Sequence, residues 1–293
     1  MISSPPQTVI FLHIPKTAGT TLYHLLGRQF PPGHFYIMPN VPQNLPHFQA
    51  LPPEQKAPIY LIAGHFSYGI HQYLPQPATY FTILRQPRDL VISYFYYLRN
   101  SVAHPHFHLA KSMSLPEFIE NRIDLNMSNM QTRMLAGRPS YGDYYECTPD
   151  DLEAAKENLR QSFTVVGLTE RFDETLLLLQ KAFGWQNLYY ARMNVTRKKP
   201  SHSDLSSDVM QSIAQVNQLD EALYRFAATL FADQVAQQSP DFNKQVLAFQ
   251  RRNQWLYPFR YSIWQARRQS WLWRHNASFL VHDLYVRARN RLL

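Results

Sequence analysis

A three-layer α/β fold, with a mainly parallel central sheet flanked by helices, is predicted from three features of this 293-residue chain. Short β-branched runs alternate with segments of helical periodicity, the pattern of parallel strands joined by crossover helices. The opening run TVIFLHI (8–14) is almost wholly apolar, as a strand buried on both faces must be. Apolar residues make up 45% of the chain and aromatics 14%, enough to fill a core between layers.

The elements follow in order. After Pro15, Lys16 and Thr17 come Ala18-Gly19-Thr20-Thr21, then Leu22, Leu25, Leu26 and Phe30 at helical spacing. This reads as strand, tight turn and helix, with Gly19 relaxing the turn and the threonines capping the helix. The Pro-rich stretch 31–58 reads as loop. Strands are predicted at IYLIA (59–63) and TYFTIL (79–84). A helix starts at Pro87 with Leu90, Val91, Tyr94 and Leu98 on one face. A polar, His-rich connection follows Asn100, with short helices near 115–122 and 129–135. Thr148-Pro149-Asp150-Asp151 is a helix start, with its hydroxyl at the cap and acids near the positive end of the dipole. That helix leads to a strand FTVVGL (163–168), and a helix over 172–183 is stopped by Gly184. One long amphipathic helix is expected to carry Ile213, Val216, Leu219, Leu223, Phe226 and Leu230.

In an open parallel sheet, ligands bind beyond the carboxyl ends of the strands. The turn after the first strand gathers Lys16, Thr17, Thr20, Thr21 and the N–H groups of a helix start, a cradle suited to phosphate or sulfate. It is not a Walker A loop, which places lysine after the glycines; here Lys16 precedes Gly19. From the turn alone, an ordinary βα connection with a surface lysine is an equal reading. Two further strand ends add chemistry. Arg85 leaves the strand 79–84 and Ser93 lies two turns along the next helix, so a guanidinium fork and a hydroxyl can grip a second phosphate. The strand 59–63 ends in Gly64-His65, which suits a general base at a cleft.

Taken together, LHIPKTAGTT, GHFSYG, TYFTILRQPRDLVISYFYYLRN, NMSNMQTRMLAG (126–137) and FTVVGLTERFDETLLLLQKAF resemble the carbohydrate sulfotransferase family that includes the heparan sulfate 2-O- and 6-O-sulfotransferases. The likeness covers roughly residues 8–235, with the motifs in the family's order. It implies a P-loop-like fold and the co-substrate 3′-phosphoadenosine-5′-phosphosulfate (PAPS). It also implies roles. Lys16 contacts the 5′-phosphosulfate, and Thr17, Ala18, Gly19, Thr20 and Thr21 surround the 5′-phosphate. Arg85 and Ser93 hold the 3′-phosphate, and His65 is the base. The Thr196-Arg197-Lys198-Lys199 segment falls where the family closes over the nucleotide, which makes Arg197 and Lys198 loosely aligned candidates. The implied reaction is in-line sulfonyl transfer to a hydroxyl, with a saccharide as acceptor and no metal.

Other features are read more plainly. The net charge of +8 equals the excess in residues 245–293, where nine arginines meet one acid, Asp283. The rest of the chain is neutral overall, and no nucleic-acid-binding module is present, so nucleic acid is not expected as a partner. The expected organisation is a sulfotransferase domain over 1–240 and a basic, Trp-rich helical extension over 241–293. Its arginines and tryptophans either pack on the body or meet a membrane surface or a protein. His104, His106 and His108 alternate in a Pro-containing loop with no acid nearby in sequence, which favours acceptor contact over a metal site. Tyr94–Tyr97 reads as core or cleft wall, His71 as a surface residue and a weaker base, and Cys147, the sole cysteine, as inert. No run of about 18 uncharged apolar residues and no cationic leader occur, so a soluble, cytoplasmic protein is expected. Two other functions share parts of this pattern. A nucleotide-dependent phosphotransferase would use the same cradle but needs a Mg²⁺ carboxylate motif, which is not evident. A non-catalytic adaptor would work through the tail.

Overall fold

The computed structural model describes residues 7–30, 33–39, 41–142, 144–191 and 205–256. Its centre is a five-stranded, wholly parallel sheet formed by β1 (Thr8–Leu12), β2 (Phe35–Met38), β3 (Leu61–Gly64), β4 (Ala78–Leu84) and β5 (Phe163–Leu168), in the order β2-β3-β1-β4-β5. Every residue of β1 is buried, as its unbroken apolar run requires. Leu12, the last residue of β1, pairs with Gly64 on one side and Thr82 on the other. The ends of β3 and β4 therefore flank the end of β1. From β1 the chain runs outward to β2 and β3, then crosses to β4 and β5, so its winding reverses beside β1, where α/β sheets open a binding crevice.

The helices between these strands are α1 (Gly19–Leu26), α2 (Val41–Ala50), α3 (Pro53–Lys56) and α4 (Pro87–Leu98). They continue as α5 (Phe107–Ser112), α6 (Leu115–Glu120), α7 (Met130–Leu135), α8 (Pro149–Ser162), α9 (Phe172–Phe183), α10 (Ser207–Val216) and α11 (Gln218–Ala236). The expected cap at Thr148 is present: its hydroxyl accepts from Asp151 N, and the Asp151 carboxylate accepts from Thr148 N at 2.9 Å, a reciprocal capping box. Gly184 ends α9 with φ 68°, as predicted. Sheet, α1, α8, α9 and α11 share one large core, while α4, α5, α6 and α10 close a smaller one around Phe95, Leu98, Phe118 and Ile213.

Several expectations are corrected. The stretch 31–58 is not all loop: it contains β2, α2 and α3. β2 is a four-residue, half-exposed edge strand, too short to show alternation. Pro42 sits in the first turn of α2, where no N–H is needed, and the helix tolerates Pro46 at the cost of one internal bond. The predicted long helix breaks at Asn217 into α10 and α11. There the Asn217 side chain donates to Met127 O and Ile213 O and accepts from Asn129 N, so tertiary bonds outweigh helical continuity. The His-rich connection contains α5. α1 has no side-chain cap from a threonine; Ala18 occupies the cap position in the left-handed region.

A helix over 242–256 follows α11. Its Phe242, Val246 and Phe249 enter the large core, and Asn253 Oδ1 accepts from Tyr190 N at 2.7 Å. The first part of the expected extension thus packs on the body, whereas Trp264, Trp271, Trp273 and the later arginines lie outside the described residues. Among the described residues no helix is long and apolar enough to cross a membrane.

Candidate functional site

Three strand ends converge. The loop 13–18 leaves β1, His65 follows β3 and Arg85 follows β4. His65 Nδ1 lies 2.7 Å from the carbonyl oxygen of His13, and Arg85 Nη1 donates to the carbonyl oxygen of Lys16 at 3.0 Å. Both outer tips are therefore bonded to the central loop.

The loop's shape comes from its backbone. Lys16 and Ala18 have φ 68° and 63°, left-handed values that cost a non-glycine residue free energy and belong to the backbone turns from which anion-binding nests are built. The first turn of α1 adds donors that have no preceding helical carbonyl to bond. Thr17 is fully buried, and its hydroxyl donates to Ile14 O at 2.8 Å. That hydroxyl closes the loop on itself, so what Thr17 can offer an anion is its main-chain N–H. Thr21 is buried in the first turn of α1, and Thr20 is exposed beside it.

His13 explains Gly19. A Cβ on residue 19 would lie 1.8 Å from His13 Nε2. The His13 ring stacks on Phe11 with centroids 5.0 Å apart, meets the His65 ring at 4.3 Å, and has Tyr23 OH 3.2 Å from Nδ1. The glycine is needed less for its backbone freedom than for the imidazole filling the space where a side chain would be.

The electrostatics follow from the packing. Burial lowers the pKa of His65, and nearby Lys16 lowers it further, against the opposing pull of the His13 hydrogen bond. His13 is held well below the usual imidazole value by burial, His65 and Lys16. Both rings are neutral at pH 7. A carbonyl can only accept, so His65 Nδ1 carries the proton and Nε2 presents a lone pair. Burial and the neighbouring Arg85 bring the Lys16 ammonium down to about 8, and it rests 4.6 Å from the centroid of the Tyr97 ring.

Arg85 is held from behind. Gln131, fully buried on α7, accepts from Arg85 N at 3.0 Å and donates to Arg85 O at 2.9 Å. Asp220 of α11 in turn accepts from Gln131 N at 3.1 Å and Thr132 N at 2.7 Å, anchoring the start of α7. Asp89 stands 4.0 Å from the Arg85 guanidinium. Ser93 lies on α4 and is 7% exposed. Arg197 and Lys198 lie outside the described residues. His71 is removed from the site: its Nδ1 is 2.8 Å from Tyr80 OH, far back along β4 from Arg85. Cys147 is half-buried, and burial pushes its thiol up to about 12.

A loop of N–H groups, two cations and a neutral imidazole at one sheet edge suit a polyanionic donor and a hydroxyl acceptor. Comparison with known proteins decides the family. The family model described as galactose-3-O-sulfotransferase matches residues 2–259. The chain belongs to this family.

Among curated relatives of this galactose-3-O-sulfotransferase family member, bovine galactose-3-O-sulfotransferase 3 is 28% identical over 259 residues, covering 78% of this chain and 58% of that protein. Human galactosylceramide sulfotransferase is 28% identical over 239 residues, covering 75% and 56%. A Drosophila melanogaster heparin sulfate O-sulfotransferase is 26% identical over 276 residues, covering 82% and 73%. The chain spans little more than half the length of the first two. The resemblance to carbohydrate sulfotransferases is thereby established, with the galactose branch as the matching family.

Sequence reasoning missed His13, Gln131 and Asp220. Asp220 is one of two adjacent acids, with Glu221, in the first turn of an amphipathic helix, and nothing local marks it as the acceptor for another helix's first turn. His13 had a signal: it stands six residues before the glycine whose missing side chain it replaces. The metal-versus-acceptor reading of the His-rich loop assumed no acid nearby, yet the fold brings Asp124 to 3.0 Å from His106 Nδ1.

Proposed function

We propose that this chain transfers a sulfonyl group from PAPS to a hydroxyl of a saccharide, with a galactoside as the acceptor class. The observation that carries the reading is the joining of three strand tips through His65–His13 O and Arg85–Lys16 O, which places an imidazole, an ammonium and a guanidinium around one N–H cradle. This donor set fits PAPS: the loop 16–21 and Lys16 would hold the 5′-phosphosulfate, and Arg85 with Ser93 the 3′-phosphate. Arg197 and Lys198 remain candidates for closing over the nucleotide. Bound there, PAPS supplies an electrophilic sulfur and a phosphate leaving group.

The chain's own residues supply the rest. His65 Nε2 takes the proton of the acceptor hydroxyl as it attacks. Lys16 and the loop N–H groups stabilise charge growing on the departing oxygen. Such preorganised donors are worth about 3–4 kcal/mol each in rate, and a placed base contributes about 100-fold or more. His13 holds the His65 tautomer and orientation through its carbonyl and ring, which makes it a positioning residue. The mechanism assigns no step to a metal.

The test is transfer of labelled sulfonyl from PAPS to lactose. The wild type should give sulfated sugar with no transfer from ATP, and His65→Ala should retain binding of 3′,5′-adenosine bisphosphate (PAP) while losing at least 100-fold in turnover. Full turnover in His65→Ala would remove the base, and phosphoryl transfer from ATP would replace the reading with a phosphotransferase.

A further inference from the structure

The Lys16 ammonium packs on Tyr97, an exposed ring in the last turn of α4. The edge of Tyr97 meets His104 with centroids 6.1 Å apart, and His104 meets His106 at 5.4 Å. Two imidazoles thus continue the wall that starts at the transfer lysine. None of the donor-side chemistry uses them.

Each ring has its Nδ1 committed by a bond that fixes the proton. His106 Nδ1 is 3.0 Å from Asp124 Oδ2. Asp124 is 4% exposed, and its carboxylate also accepts from Tyr94 OH at 3.1 Å and Asn126 N at 2.8 Å. A carboxylate in that role only accepts, so a proton stays on His106 Nδ1, and in the neutral ring Nε2 is then the acceptor. His104 Nδ1 instead accepts the main-chain N–H of His106 at 3.2 Å, so the proton of the neutral ring sits on Nε2, a donor. Burial lowers the His104 pKa and keeps that ring neutral. The support is rigid: Asn126 Nδ2 donates to Tyr94 OH at 3.0 Å, and the buried Arg133 donates to Asn126 Oδ1 at 2.8 Å.

We propose that His104 and His106, beside Tyr97, form the acceptor subsite, a fixed donor–acceptor pair that reads two hydroxyls of one sugar ring. The inference rests on the saccharide-sulfonyl-transfer reading above. One N–H and one lone pair match hydroxyls, which both donate and accept, and match a bare anion poorly. His106 keeps a third of its side-chain surface exposed, enough to meet a ligand. Because the tautomers are set before any ligand arrives, little ordering remains to be done on binding.

Asparagine separates the two ring nitrogens, since its amide atoms stand where Nδ1 stands and nothing replaces Nε2. His104→Asn and His106→Asn keep the internal bonds and remove the outward partner, whereas His104→Gln and His106→Gln place an amide near Nε2. Kinetics with PAPS and lactose are measured alongside PAP calorimetry. Each Asn variant should raise the lactose KM about tenfold, as loss of one neutral hydrogen bond does, with PAP affinity and PAPS KM unchanged. The Gln variants should recover most of that loss. Monodeoxygalactosides lacking a hydroxyl that is read should show no further loss in the matching Asn variant. Unchanged lactose KM in both Asn variants, or Gln variants as impaired as Asn, would overturn the subsite while leaving sulfonyl transfer intact. Absence of saccharide sulfation by the wild type, with PAP bound, would instead overturn the functional reading and the subsite with it.

Discussion

Replacing Gly19 by alanine tests the packing that sets the candidate base. The new Cβ would stand 1.8 Å from His13 Nε2 and 1.9 Å from Cε1, whereas non-bonded carbon contacts settle near 3.5 Å or more. The imidazole must retreat by roughly 1.7 Å to restore such a contact. It has nowhere to go, with Phe11 stacked on it at 5.0 Å and the His65 ring at 4.3 Å. Overpacking of this kind costs about 1–3 kcal/mol, and the displaced ring pulls on the carbonyl that orients His65. Gly27→Ala is the control, since its Cβ meets only Tyr23 O at 3.5 Å, an ordinary contact. Denaturant unfolding and PAPS-dependent turnover are measured on both. Gly19→Ala should lose about 1–3 kcal/mol and at least tenfold in kcat, while Gly27→Ala stays within about 0.5 kcal/mol of wild type. The double variant His13→Ala/Gly19→Ala should be less destabilised than the two single changes summed. A Gly19→Ala protein indistinguishable from Gly27→Ala in both assays would refute the argument.

Turnover should depend on pH through two groups. Because burial lowers the His65 pKa, kcat/KM should fall only below the ordinary imidazole value of about 6.5; an acid limb centred above that, or one retained in His65→Ala, would contradict the assignment. With the free Lys16 ammonium at about 8, PAP affinity should be level below that pH. Above it, binding must take up a proton, and affinity should fall by up to about tenfold per pH unit; calorimetry across pH 6–10 checks this. Asp220→Ala strands two buried main-chain donors, Gln131 N and Thr132 N, so unfolding should show a loss of about 2–4 kcal/mol. Gln131→Leu releases the clamp on Arg85, and its PAP affinity should drop several-fold with the acid limb unchanged; equal affinity would make Gln131 structural only.

The sheet and its edge chemistry were legible because they are written locally. β1 announces itself by an unbroken apolar run, and Lys16, His65 and Arg85 each stand just past a predicted strand. Parallel order then forces those ends to one side. What stayed hidden is tertiary. β2 is four residues between prolines, three of them half-exposed and only Met38 buried, with no period to detect. The break at Asn217 is made by carbonyls and amides some ninety residues away. Thr17 reads as a phosphate ligand in sequence, yet its hydroxyl is used by Ile14 O. Asp124 is eighteen residues from His106, and only the fold shows that the histidine pair has an acid behind it.

Sulfonyl transfer by this chain requires one polyanionic nucleotide to be gripped by cations from different strand ends. Calorimetric titration of PAP into wild type, Lys16→Ala, Arg85→Ala and the surface control Arg160→Ala addresses it directly. The prediction is micromolar binding by wild type and Arg160→Ala, with each of the other two weakened by about tenfold or more, as loss of a charged hydrogen bond entails. Equal affinity in all four proteins, or tighter binding of ATP than of PAP, would contradict it.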